Sequence, residues 1–212
     1  MKRVLLVLSS AACATAAQSA HPVAPGKTEV TASIGRVAST KEPGRMPLQA
    51  DDPLARGPGE GAWTGELMVR RGIVEGLDAG LRLSRMPGAG GLSVVAIDPK
   101  LRLGRSSRVV ISLGIPAGLA WEEAPEAEYV GAVIVPTVYV GLKASPTVEL
   151  VAAPKLHFLF VDRQDMQQHW GLTLSPRFTD PHRRWAVQPE LGLTWLDDTT
   201  LLLLGFSVSA GN

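Results

Sequence analysis

The sequence predicts an all-β fold, an antiparallel up-and-down β-barrel that crosses a membrane in about ten strands, eight at the fewest and twelve at the most. Three observations predict it. Alternation of apolar and polar residues runs from Lys27 almost to the end of the chain, with little helical periodicity. The alternating segments are long enough to match the roughly 9–11 residues that a tilted strand needs to cross hydrocarbon. All five tryptophans fall near segment ends, where an indole can bury its ring and keep its N–H wet.

The expected strands are 28–37, 62–72, 76–85, 92–103, 108–121, 129–143, 147–161, 168–178, 184–196 and 200–210, each bounded by Gly, Pro, Asp, Ser or Asn clusters. One face of each is apolar. It reads Leu67, Val69, Leu77, Leu81 and Leu83 early in the chain, then Val109, Ile111, Leu113, Ile115 and Leu119. The pattern continues through Val130, Ala132, Ile134, Val138, Val140 and Leu142 to Trp170, Leu172 and Leu174, and ends with Leu202, Leu204, Phe206 and Val208. The opposite face carries charges of both signs and is expected to line the lumen: Glu66, Arg70, Asp78, Arg82, Asp98, Lys100, Arg102, Glu149, Lys155, His157, Arg177 and Glu190. In a water-soluble sandwich the apolar faces of two sheets would meet, so alternation alone does not separate the two architectures. Strand length and the aromatics do.

If the chain starts in the periplasm, the connections at 38–61, 86–91, 122–128, 162–167 and 197–199 fall on the outer side. Trp63, Trp121, Trp170 and Trp195 then lie at the outer rim, with Phe178 and Trp185 at an inner turn, giving two aromatic girdles. The Pro- and Gly-rich stretch at 38–61 is expected to be a long outer loop, and "EEAPEAE" a solvated acidic hairpin end.

Prolines 99, 136, 154, 176 and 189 recur near mid-strand, where each removes a ladder hydrogen bond. Turns near residue 145, near 165 and between 182 and 183 would set Pro136 against Pro154, Pro154 against Pro176, and Pro176 against Pro189. That register predicts a belt of bends at one height. The plainer reading is that several of them mark strand breaks.

The amino terminus, "MKRVLLVLSSAACATAAQSA", has the layout of an export signal: Lys2 and Arg3, an apolar run from Val4 to Leu8, then small and polar residues. Two processing routes fit. Ala14-Thr15-Ala16 suits an ordinary signal peptidase, and Ser10-Ala11-Ala12-Cys13 resembles a lipobox, with lipidation at Cys13. The expected organisation is an export signal over 1–20, a periplasmic tether over 21–27 and a barrel over 28–212.

Composition narrows the function classes. The formal net charge is +1, with 21 basic and 20 acidic residues among 212, so no dominant field attracts nucleic acid. Cys13 is the single cysteine, which excludes an intramolecular disulfide and a cysteine-built metal site.

Over residues 28 to 210 the chain resembles Gram-negative outer-membrane β-barrel proteins of the small single-chain type. "GELMVRRGIVEGLDAGLRLS" is especially like their hairpins, two amphipathic strands joined by a Gly-bearing turn. The resemblance implies the outer membrane as location, with its lipids and the barrel-assembly machinery as partners. One departure is the end "GFSVSAGN", where Phe206 is set back from the terminus that commonly carries an aromatic.

A barrel of this size leaves a narrow interior, and the inward charges fit either a salt-bridged plug or a small pore. No spacing ties the inward His157 or His169 to a nucleophile such as Ser112 or Ser175, or to a third metal ligand, and neither a catalytic site nor a cofactor is expected. The expected function is a small pore or a structural or surface element of the outer membrane. A soluble periplasmic barrel or sandwich that binds a hydrophobic ligand, and a barrel-embedded lipid-modifying enzyme, are the alternatives.

Overall fold

The computed structural model describes residues 18–39, 62–87, 92–122, 130–161, 166–182, 184–196 and 199–211. The strands are β1 (Thr28–Ser39), β2 (Ala62–Val74), β3 (Leu77–Met86), β4 (Leu92–Arg105), β5 (Val109–Gly114) and β6 (Ala117–Glu122). They continue as β7 (Val130–Ile134), β8 (Thr137–Lys143), β9 (Val148–Val161), β10 (Gln167–Thr179), β11 (Trp185–Leu196) and β12 (Thr199–Gly211). These segments make ten crossings, because β5 with β6, and β7 with β8, are halves of single crossings interrupted at Pro116 and Pro136. Each half pairs on the same neighbour: β5 and β6 on β4, β7 and β8 on β9. β1 pairs antiparallel with both β2 and β12, so the sheet closes on itself and leaves no edge.

Polarity is inverted relative to a water-soluble fold. Neighbouring residues on β4 show it: Ile97 is 64% exposed, while Asp98 is fully buried. Leu67, Leu81, Leu174, Leu204 and Phe206 face outward, and Lys155 and Arg177, at 6% and 7% exposure, face inward. Burying this many charges while exposing this much aliphatic surface is stable only where the surroundings are hydrocarbon. Among the described residues no helix is long and apolar enough to cross a membrane, and the strands do the crossing.

The two ends of the barrel differ. The connections between β2 and β3, β4 and β5, β8 and β9, and β10 and β11 are short, and we call this the short-turn end. It also carries the start of β1 and the end of β12. We call the opposite end, where β1 ends and β2 begins, the long-loop end; the long loop expected at 38–61 and the acidic connection expected near 122–128 fall almost wholly on residues 40–61 and 123–129, which lie outside the described residues.

The expected proline belt holds at one contact only. Pro176 and Pro189 share a register position, flanked by the pairs Leu174–Leu191 and Phe178–Val187. With neither residue able to donate, the ladder lapses between those pairs. Pro154 instead pairs with Leu172, and Pro176 with Leu150, so these two prolines stand four residues apart. Pro136 lies opposite Leu156, whose amide donates to the Pro136 carbonyl at 3.0 Å. The correction has a simple origin, since turns a residue or two longer or shorter than assumed slide each pairing. Pro136 follows the plainer reading, a strand break between β7 and β8. Pro99, which pairs with Ala79, Pro154, Pro176 and Pro189 all sit inside continuous strands.

Candidate functional site

The candidate site is the lumen. Register builds its short-turn half: Arg70 pairs with Gly80, and Gly80 with Asp98, so an arginine and an aspartate flank a residue without a side chain. The chain of Arg70 lies across that gap, where a Cβ at Gly80 would stand 2.9 Å from Arg70 Cγ. Asp98 is the hub. Its Oδ2 accepts from Arg70 Nη1 and from Arg82 Nη2, both at 2.8 Å. Arg70 also donates to Asp78, through Nε at 3.1 Å and through Nη2, and to the Asp98 carbonyl at 3.0 Å. Arg82 reaches Glu66 Oε2 at 3.4 Å, and Ser84 donates to the same oxygen at 2.9 Å. Lys100 Nζ stands 3.9 Å from Asp78 and 5.5 Å from the centre of the Tyr139 ring. Charges buried in this way fix one geometry more reliably than they add net stability, because desolvation offsets most of their attraction.

Residues 18–25 enter this half from the short-turn end, and sequence reasoning missed them as lumen residues. Gln18 and Ala20 are buried. The Gln18 amide donates to Asp98 Oδ2 at 2.7 Å and accepts from Arg70 Nη1 at 3.0 Å. Lys100 donates to the Ser19 carbonyl at 3.0 Å, and Ser112 to the Ala20 carbonyl at 2.6 Å. Glu149, also expected in the lumen, accepts from Ser19 Oγ at 2.9 Å and from the Ala20 amide at 3.2 Å. The Val23 amide donates to Asp78 at 2.6 Å. The expected export signal takes in residues 18–20, and the expected tether is 21–27. Their partners come from strands scattered along the sequence, which no local pattern reveals.

The other half of the lumen is different. Val37, Leu201 and Leu203 form a buried apolar cluster, and Leu159 and Val94 are buried at similar positions near the opposite ends of their strands. These inward apolar residues were also missed. The run "LLLL" at 201–204 places leucine on both faces of β12, and that doubling was the available signal. His157 pairs across the ladder with His169, both inward and buried. Lys155, opposite Gly171, and Glu190, opposite Gly205, are inward as well.

At the short-turn mouth a cavity of about 1100 Å³ remains below the inserted segment. Lys27, Arg102, Arg105, Arg108, Lys143, Arg177 and Arg184 line it, against Glu29, Glu75 and Glu149. The acids are engaged: Arg177 pairs with Glu29 and Arg102 with Glu75, each at 2.8 Å, and Glu149 holds the inserted segment. The hydrogen bond from Arg102 holds the Glu75 carboxyl below the usual carboxylate range. The mouth is therefore positive on balance.

Outside, Trp63, Trp170, Phe178, Trp185 and Trp195 are exposed and Trp121 is half-buried. Trp170 pairs directly with Trp195 near the long-loop end, and Trp185 begins β11 at the short-turn end. Cys13 lies outside the described residues.

Among the described residues no group of three His, Cys, Asp or Glu is placed to hold a metal ion. Ser112 donates its hydroxyl to the Ala20 backbone, and Ser175 lies six residues along β10 from His169.

No family model matches the chain, and no curated protein does. Among solved structures it is similar to Ail, the attachment invasion locus protein of Yersinia pestis, at 10% identity and a TM-score of 0.40, over 89% of this chain and 99% of that one. It is similar also to the translocator domain of the autotransporter NalP from Neisseria meningitidis, at 9% identity and a TM-score of 0.49, over 97% and 93%. Neisserial surface protein A follows, at 10% identity and a TM-score of 0.40, over 87% and 95%. The chain's own geometry carries the conclusion: an even number of antiparallel crossings, closure of β1 on β12 and an apolar exterior around a charged interior make it a transmembrane β-barrel of the outer-membrane type.

Proposed function

We propose that the protein is a structural or surface element of a Gram-negative outer membrane, with a lumen that is closed to ions. The single observation that supports this most is the buried Arg70–Asp98–Arg82 network with residues 18–20 set among its side chains in the short-turn half of the lumen. A conducting barrel needs a continuous wet path, and a lumen occupied in this way does not offer one. The short turns then face the periplasm and the long connections face outward, with the positive mouth beside the headgroups of the inner leaflet. On this proposal the interior is a plug and not an open pore. Planar-bilayer recording of the purified full chain tests it. No stepwise conductance is expected, and reproducible single-channel steps would contradict the proposal.

A further inference from the structure

Residues 18–23 make no strand of their own, yet the barrel holds Gln18, Ser19, Ala20 and Val23. Five of the contacts are to their backbone. Carbonyls of Gln18, Ser19 and Ala20 accept from Gln188, Lys100 and Ser112 at 3.5, 3.0 and 2.6 Å. The amides of Ala20 and Val23 donate to Glu149 and Asp78 at 3.2 and 2.6 Å. Five strands thus supply one donor or acceptor each, as a receptor does for a peptide.

Side-chain selection sits at two points. The Gln18 amide donates to Asp98 and accepts from Arg70, a pairing that uses both its N–H and its C=O. Ala20 is fully buried, and a Cβ at Gly141 would stand 2.7 Å from its Cβ and 2.2 Å from Glu149 Oε1. Only a small residue fits there.

We propose that the short-turn half of the lumen is a peptide-binding socket, filled in cis by residues 18–23. It takes a segment without secondary structure that carries a side-chain amide at its deep end and small residues behind it. A peptide of the same class binds in trans when the resident segment is withdrawn. Cleavage after Ala16 leaves the whole resident segment on the mature chain. The socket and the closed-lumen proposal can fail separately, because peptide binding and amide exchange read the segment directly whereas conductance reads the lumen as a whole.

The test uses the full chain in detergent and a fluorescent peptide, QSAHPVAP, which copies residues 18–25. Ala20→Trp is too large for the space beside Gly141 and expels the resident segment while leaving the socket intact. The peptide is expected to bind Ala20→Trp at least tenfold more tightly than the parent chain, and Gly141→Leu added to Ala20→Trp is expected to abolish that gain. Equal binding to parent and Ala20→Trp, or no binding by an Ala20→Trp chain that still migrates as a folded barrel, would overturn the proposal. Amide exchange on the parent supplies a measurement that needs no variant. Ala20 and Val23 are expected to exchange at least a hundredfold more slowly than unstructured peptide, and unretarded exchange overturns the socket. Mass analysis of the mature chain is expected to retain Gln18, and a first residue beyond Val23 would also overturn it.

Discussion

The two halves of the lumen are built differently. Toward the long-loop end the wall carries buried apolar side chains, with Val37, Leu201 and Leu203 packed together from β1 and β12. Toward the short-turn end the wall supplies charges, and a separate stretch of chain, residues 18–23, occupies the space between them. The apolar side chains belong to the strands themselves. Residues 18–23 can leave by breaking hydrogen bonds to side chains, each worth about 0.5–1.5 kcal/mol net. On the socket proposal the difference is that an ionic lumen wall can hold a separate segment of chain, whereas an apolar one offers it no hydrogen bonds.

The largest effect that sharpens this comparison is expected at Asp98. Asp98→Ala removes the acceptor shared by Arg70, Arg82 and Gln18 and leaves two buried guanidinium groups without it. A loss of about 3–5 kcal/mol is expected, since breaking one partner out of a buried ionic set costs that much. Urea unfolding from lipid vesicles measures it, and an Asp98→Ala barrel as stable as its parent would show that the ionic wall contributes no geometry.

Leu203→Ala, at the apolar end, is expected to cost about 2–4 kcal/mol, because the shortened side chain leaves a cavity. The same titration reports it. Conductance separates the seals more sharply. Leu201→Ser with Leu203→Ser is expected to stay silent in planar bilayers, because the short-turn half remains filled. Adding Ala20→Trp to that pair is expected to open steps, and the positive mouth predicts a preference for anions. Steps from the Leu201→Ser, Leu203→Ser chain alone would assign the whole seal to the apolar end.

A smaller effect belongs to the rim. Trp170 and Trp195 face each other across the ladder, and a double-mutant cycle to Ala is expected to give a coupling of about 0.2–1 kcal/mol. A zero coupling would mean that each indole meets lipid alone.

The smallest effect is at the turn between β10 and β11. Desolvation pushes the Asp180 carboxyl upward, but amides of Trp185, His182 and Arg184 donate to it and bring it below the usual carboxylate range. A group whose pKa is depressed on folding adds stability above its unfolded value, and that stability is lost as pH falls through the folded value. Protection of the Trp185 amide should therefore fade only in strong acid, and Asp180→Asn should remove that acid limb. An unchanged limb in Asp180→Asn would assign it to another group.

Much of the fold was legible because side-chain period and exposure are tied together in a strand. Ile97 and Asp98, neighbours on β4, already declare which face meets lipid. The burial of Asp98, Lys155 and Arg177 follows the same alternation. What the pattern hid depends on distance across the sheet. Pro154 meets Leu172 rather than Pro176 because connection lengths set register, and period does not. Leu201 and Leu203 were masked by leucines on the opposite face of β12. Gln18 meets Asp98 and Gln188 across 80 and 170 residues of sequence, a relation that only closure of the barrel creates.

The central claim is that the exterior is apolar because lipid is its solvent. Refolding of the urea-denatured full chain, followed by far-ultraviolet circular dichroism, tests it most directly. The account predicts β structure with heat-modifiable gel migration in lipid vesicles or detergent, and aggregation in plain buffer. A monodisperse, cooperatively folded β protein in plain buffer would contradict it.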